Sequence, residues 1–216
     1  DSNFDEVILA TGIVPRLPDI EGIDHPCVVN YVDVIRGNVE VGERVAIIGA
    51  GGIGFDTAEY LSHAGESTSQ NIAAFMEEWG IDMNLQSRGG IEGVEARFAA
   101  SPRTIYLCQR KAEGLGKRLG KTTGWIHRLG LVKRGIKMLA ACDYQRINDD
   151  GLHLMVDDEA RLLEVDNVVI CAGQLPLQEL SEGLQKPFHL IGGADVATEL
   201  DAKRAIDQGT RLAAVL

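Results

Sequence analysis

Arg44 to Leu61, RVAIIGAGGIGFDTAEYL, decides the fold. Arg44-Val45-Ala46-Ile47-Ile48 is a short apolar run with the β-branched content of a buried parallel strand. It passes into Gly49-Ala50-Gly51-Gly52-Ile53-Gly54 and then into a helical segment. A G-x-G-x-x-G turn gains its meaning from that strand–turn–helix setting. Gly49 permits the tight turn, Gly51 lets the main chain approach a pyrophosphate, and Gly54 lets helix pack closely on strand. The pyrophosphate then meets free N–H groups at the positive end of the helix dipole. The expectation is a dinucleotide site over residues 49–54. The competing reading is a glycine-rich turn with no ligand.

Outward from this stretch, a second pattern repeats. Asp5-Glu6-Val7-Ile8-Leu9-Ala10-Thr11-Gly12, followed by Pro15, recurs as Asp166-Asn167-Val168-Val169-Ile170-Cys171-Ala172-Gly173, followed by Pro176. Each copy reads as a buried parallel strand. The small residues that end it, Thr11-Gly12 and Ala172-Gly173, leave room for a ligand over the sheet edge. The chain thus holds the closing strands of two nucleotide-binding domains but the opening fingerprint of one.

The strand after the glycine turn, Thr104 to Gln109, ends in Gln109-Arg110-Lys111. In this fold an acid at that place binds the ribose 2′-hydroxyl of NAD, whereas basic residues accommodate a 2′-phosphate. Arg offers a planar fork for phosphate oxygens and Lys a point charge. NADP is therefore the expected cofactor, with Arg118 and Lys121 as secondary contacts. An exposed basic pair at a strand end is the alternative.

The bulk properties agree. The 216 residues carry a net charge of −11, which argues against general nucleic-acid affinity. Yet ten Lys or Arg against a single acid, Glu113, fall between Arg103 and Lys137. That local excess favours an anionic ligand. No run approaches the roughly 18 apolar residues of a membrane span. Four scattered cysteines, Cys27, Cys108, Cys142 and Cys171, form no C-x-x-C pair. Neither a metal site nor a disulfide framework is expected, and the setting is a reducing cytoplasm. The five histidines are dispersed and are read as structural. A chain that opens on Asp1 and enters a strand within a few residues reads as an excised piece of a longer polypeptide.

Along the chain, a helix is expected near Tyr31–Ile35 and another through about His63. An insertion spans about residues 64–102, with a helix at Asn71–Trp79. Strands follow at Ile136–Leu139, Asp143–Ile147, Leu152–Val156 and Arg161–Val165, with a hairpin turn at Asn148–Gly151. His189 to Asp195 leads into a helix from about Leu200. The class is α/β with a parallel sheet.

Several segments carry a wider likeness. The GAGGIG turn, the insertion opening Gly65-Glu66-Ser67-Thr68-Ser69-Gln70, Cys108-Gln109-Arg110-Lys111 and Gly120-Lys121-Thr122-Thr123-Gly124-Trp125 together resemble the bacterial NADPH-dependent 2,4-dienoyl-CoA reductases. These belong to the old-yellow-enzyme-like group that includes trimethylamine dehydrogenase. The resemblance implies a Rossmann-like NADP domain, about residues 33–178, inserted in a truncated FAD-binding domain made of 1–32 and 180–216. It implies an upstream barrel with FMN and a [4Fe–4S] cluster, and hydride transfer from NADPH to FAD. Thr11-Gly12, Gly193 and Asp195 match FAD-contacting segments, Asp195 near the start of the last helix. The FAD domain's own glycine fingerprint is missing, so poor FAD binding and no reduction of dienoyl-CoA are expected of this chain alone. An electron-input module of another flavoprotein reductase, or a docking domain without catalysis, are the rivals.

Overall fold

The computed structural model describes residues 4–63, 65–198 and 200–216, so Asp1 and Ala64, which open the chain and the expected insertion, lie outside it. Two strands come first, β1 (Val7–Leu9) and β2 (Ile13–Pro15). Then follow β3 (Val28–Asn30), α1 (Tyr31–Arg36), β4 (Arg44–Ile48), α2 (Gly52–Ser62), α3 (Ile72–Trp79), β5 (Thr104–Cys108) and α4 (Gly124–Lys133). Next are β6 (Lys137–Leu139), β7 (Cys142–Asn148), β8 (Gly151–Val156), β9 (Glu159–Leu163) and β10 (Asn167–Ile170). Beyond them come β11 (Gln174–Pro176), β12 (Phe188–Leu190) and α5 (Ala202–Ala213). Two units result, one formed by Pro18–Ala172 and the other by the residues through Leu17 together with Gly173–Leu216.

The larger unit is built on an all-parallel sheet in the order β3-β10-β4-β5-β6. Side chains alternate across a strand, and here both faces are covered. Val45, Ile47, Ile105, Leu107 and Val169 pack with Phe55, Ala58 and Leu61 of α2 and Leu131 of α4. Ala46, Ile48, Cys108, Val168 and Ile170 pack with Leu152, Leu154 and Val156 of the antiparallel β7-β8-β9 meander. Burial on both faces is why these strands read as unbroken apolar runs.

Several boundaries differ from the sequence expectation. Strand β5 stops at Cys108, leaving Gln109 in the loop, and β9 lies two residues earlier than Arg161–Val165. Its start is fixed by a two-residue reversal at Asp157 and Asp158, both at positive φ. The β7–β8 turn is Asp149-Asp150, with Asn148 and Gly151 already paired. In β7 a bulge between Tyr144 and Arg146 shifts the register, so Ile147 returns to the core face despite its odd spacing from Cys142. The last helix begins at Ala202, where Asp201 caps it by accepting from the Arg204 N–H at 2.6 Å.

The inserted segment is anchored rather than loose. Asn71 caps α3, accepting from the Ala74 N–H at 3.1 Å, and Gly80 ends it at φ 66°. Glu78 of α3 is buried, as is Arg134 at the end of α4, and the two form an ion pair. Glu78 also accepts from the Thr68 hydroxyl at 2.5 Å, and the Arg134 carbonyl accepts from the Ser101 N–H at 3.0 Å.

In the smaller unit β1 pairs in parallel with β12, and β2 pairs antiparallel with β11. The Thr11 hydroxyl donates to the Leu177 carbonyl at 2.5 Å, and the Leu177 N–H donates to the Gly12 carbonyl at 3.0 Å. Among the described residues no helix is long and apolar enough to cross a membrane.

Removing one partner of a buried ion pair strands the other charge, a cost of about 3–5 kcal/mol. Glu78→Ala is therefore expected to destabilise the larger unit by about that amount in urea unfolding followed by tryptophan emission. The double change Glu78→Leu with Arg134→Met should lose clearly less. Equal losses would show that the charges are not the source.

Candidate functional site: a glycine turn beside a basic strand end

The carboxyl ends of β4, β5 and β10 lie at one edge of the parallel sheet, which gathers Gly49–Gly54, Gln109–Lys111 and Ala172. The four glycines of the turn divide into two kinds. Gly49 has φ 112°, and a Cβ there would lie 2.5 Å from the Cys171 carbonyl oxygen and 3.0 Å from the Ala172 nitrogen. At Gly54 a Cβ would lie 1.8 Å from the Gly49 carbonyl oxygen. Packing of the protein against itself therefore excludes side chains at these two. At Gly51 and Gly52 an added Cβ meets nothing within 4 Å. Their lack of side chains is not needed by the fold, and it leaves an open cradle at the start of α2.

Gly51 caps that helix with extended backbone and without a side-chain hydrogen bond. The first-turn N–H groups of such an end are available to a ligand or to water. Ala50 and Ile53, the remaining residues of the turn, pack against the helix-side core. The cradle thus fits a diphosphate: open space, main-chain donors and the positive helix end in one place.

At the end of β5 the roles are distributed differently from the sequence reading. Gln109, expected among the cofactor contacts, uses its side-chain nitrogen inside the protein. It donates to the Lys111 carbonyl at 2.9 Å and also to the Glu113 carbonyl. Its own N–H donates to the Leu139 carbonyl, and its carbonyl accepts from the Cys142 N–H, each at 2.9 Å. A loop outside regular structure must satisfy its carbonyls somehow, and Gln109 does this here. Arg110 and Lys111 are exposed, with no side-chain hydrogen bond or ion pair among the described residues. Arg118 is set against Glu113, Nε to Oε1 at 3.1 Å, while Lys121 is exposed. Glu113 is the residue that the sequence reading passed over; its one signal was being the lone acid of a basic stretch.

Burial pushes the Cys171 thiol up to about 12. The Tyr144 hydroxyl is buried without a hydrogen-bond partner, and burial, reinforced by the nearby thiols of Cys108 and Cys142, raises its pKa above the ordinary range. Four histidines sit in local pairs elsewhere: His25 with Cys27 and Asp149, His127 with Glu59, His153 with Asn148, and His189 with Glu6. The arrangement can hold and orient a ligand.

In the smaller unit, Gly12 and Gly193 are brought together: a Cβ at Gly193 would lie 3.2 Å from the Gly12 carbonyl carbon. Gly12 has φ 82° and faces open space, while the Thr11 hydroxyl is already used within the unit. Gly173 belongs to this unit too; its carbonyl accepts from the Arg16 N–H at 3.1 Å. Asp195 does not stand at the start of the last helix. It follows a short 3-10 turn, Gly192–Ala194, and accepts from the Gln208 side-chain nitrogen at 2.6 Å. Gln208 in turn accepts from the Gly192 N–H at 2.8 Å, so Asp195 helps to tie α5 to that turn.

Comparison with known proteins places this geometry. The family model for pyridine nucleotide-disulphide oxidoreductases matches residues 1–203. A metal reductase of Desulforamulus reducens is 24% identical over 188 residues, covering 86% of this chain and 26% of the relative. The solved 2-naphthoyl-CoA reductase, in complex with 2-naphthoyl-CoA, matches with a TM-score of 0.71 and 23% identity over 96% of this chain and 26% of that one. The 6-hydroxypseudooxynicotine amine oxidase of Pseudomonas geniculata gives 0.68 and 18%, over 96% and 28%. At these identities the structural matches establish the fold. The chain spans about a quarter of the length of these relatives.

The two kinds of glycine predict two different failures. Gly54→Ala should destabilise the larger unit by about 3 kcal/mol, because the helix must move off the strand. Gly51→Ala should lose only about 1 kcal/mol, the cost of alanine at a helix N-cap, yet bind a dinucleotide about tenfold more weakly, since its methyl occupies the approach to the diphosphate. Thermal melting with a nucleotide titration separates the two; a Gly51→Ala chain that binds normally refutes the cradle.

Proposed function

The chain belongs to the pyridine nucleotide-disulphide oxidoreductase family, and within it we propose that the segment from Asp33 to Gln178 binds NADPH as the electron-input part of a flavoprotein reductase. One observation carries this: two exposed cations, Arg110 and Lys111, without a side-chain hydrogen bond or ion pair among the described residues, follow the strand next to the glycine cradle. The cradle suits the diphosphate, and the cations suit the 2′-phosphate that distinguishes NADPH from NADH. Gln109 shapes the loop that presents them. Lys121 is free to add a further charge, whereas Arg118 must leave Glu113 to do so.

When bound, NADPH supplies a hydride, and FAD is its acceptor in this proposal. The role of this chain is to bind and orient, since cofactors of this kind carry their own redox chemistry. Gly12 and Gly193, adjacent in the smaller unit, with Thr11 and Asp195 beside them in sequence, form the part of an FAD site that this chain contributes; Ala172 and Gly173 end the strand that closes the NADP fold. The motifs GESTSQ, QRK and GKTTGW support a finer reading, in which the whole polypeptide is similar to 2,4-dienoyl-CoA reductases of unsaturated fatty-acid β-oxidation. An upstream barrel with FMN and a [4Fe–4S] cluster belongs to that reading, as do a cytoplasmic setting and the inactivity of this chain alone on dienoyl-CoA.

Hydrogen bonds to charged groups contribute about 1.5–3 kcal/mol each. NADPH should therefore bind the 216-residue chain at least about tenfold tighter than NADH. Arg110→Ala and Lys111→Ala should each remove about tenfold from NADPH affinity and leave NADH unchanged. Titrations of nicotinamide fluorescence read both; equal affinities insensitive to either change would overturn the assignment.

A further inference from the structure

Residues 18–172 form a half-open cleft of about 650 Å³ at the carboxyl end of α2, opposite the glycine turn. The inserted segment forms one wall: Trp79 meets Phe98 edge to face at 4.9 Å, and Phe75 lies 6.2 Å from Trp79. Helix α4 forms the other with Trp125, Leu129 and Gly130. The volume suits a small organic molecule, and such rings favour stacked or edge-on aromatic partners.

The polar groups decide what kind of molecule. Glu78 and Arg134, both buried, are paired with each other, and their further bonds go to the Thr68 hydroxyl and the Ala99 carbonyl. Nearer solvent, His127 pairs with Glu59 at 3.0 Å, and the Ser67 and Ser69 hydroxyls bond each other at 2.8 Å. Among the described residues, the acids and bases lining the cleft are thus closed on one another, apart from His63. A charged ligand would give up its hydration without meeting a free counter-charge, which is costly.

We propose that this cleft binds a neutral aromatic molecule of two or three rings, held among the aromatic side chains with its polar substituent toward His63 and Ser69. The site is separate from the dinucleotide cradle and does not depend on its occupant.

The chain has two tryptophans, and both line the cleft, so energy transfer from them reports binding. The probe is N-phenyl-1-naphthylamine, which is neutral; 8-anilino-1-naphthalenesulfonate adds an anionic group to the same skeleton. The expected result is saturable binding of one neutral probe per chain, at least tenfold tighter than the sulfonate and unaffected by saturating NADPH. Gly130→Leu should weaken the probe tenfold or more while leaving NADPH binding and melting intact. An added Cβ there meets no atom within 4 Å, and leucine suits a helix better than glycine. No saturable binding, equal binding by the sulfonate, equal binding to Gly130→Leu, or displacement by NADPH would each overturn the proposal. So would concentration-dependent dimerisation that shuts the probe out. None of these outcomes bears on NADPH affinity, which is titrated separately.

Discussion

The approach of α2 to the turn that precedes it is the constraint from which the rest follows. A methyl group at Gly54 would lie 1.8 Å from the Gly49 carbonyl oxygen, so helix and strand touch through main chain. That contact sets the helix against β4 and brings its N-terminus to the carboxyl edge of the sheet. Phe55, Ala58 and Leu61 then meet Val45, Ile47 and Leu107, and the core on that face is determined. Gly51 and Gly52, relieved of any packing duty, stay open to solvent. One close contact thus organises the fold and leaves the positive helix end available.

How much of this was legible in the residues depends on whether burial was one-sided, two-sided or absent. Strands β4, β5 and β10 are covered on both faces and show it as apolar runs. The meander alternates, so β8 could be read as well. What escaped did so for identifiable reasons. Strand β3 is three residues, Val28–Asn30, placed just after Pro26 and immediately before a helix, too short to establish a period. Helix α4 contains Gly124 and Gly130 and follows two threonines, and it shows no clear apolar stripe. Gly124 is there because a Cβ would come 2.5 Å from the Leu119 Cβ, a tertiary fact. The bulge at Gln145 is equally invisible to a period-two reading. At the candidate site, residue types were readable and their division of labour was not. Gln109 faces inward to two carbonyls and Arg118 is held by Glu113, and both facts depend on how the loop closes.

Electrostatics links the two scales. The chain is strongly acidic overall, yet its basic residues concentrate between Arg103 and Lys137. Within that stretch, Arg110 and Lys111 follow the strand beside the cradle, where they draw an approaching anion. Salt should weaken this guidance, since exposed charges are screened within about 10 Å at 0.1 M. The Arg118–Glu113 pair is exposed and contributes little to stability. Its importance lies in lowering the local positive charge by one unit.

The small unit has a different consequence, set by chain order. Val7 pairs with Phe188 and Leu9 with Leu190, so its parallel ladder joins strands on either side of residues 18–172. A ribosome releases β1 before β12, with the whole of residues 18–172 emerging in between. The large unit can be complete while β1 still lacks its mate, and through that interval a bare strand edge is open to wrong pairing. Closing this small unit therefore waits on synthesis of the larger one, whatever else the polypeptide carries.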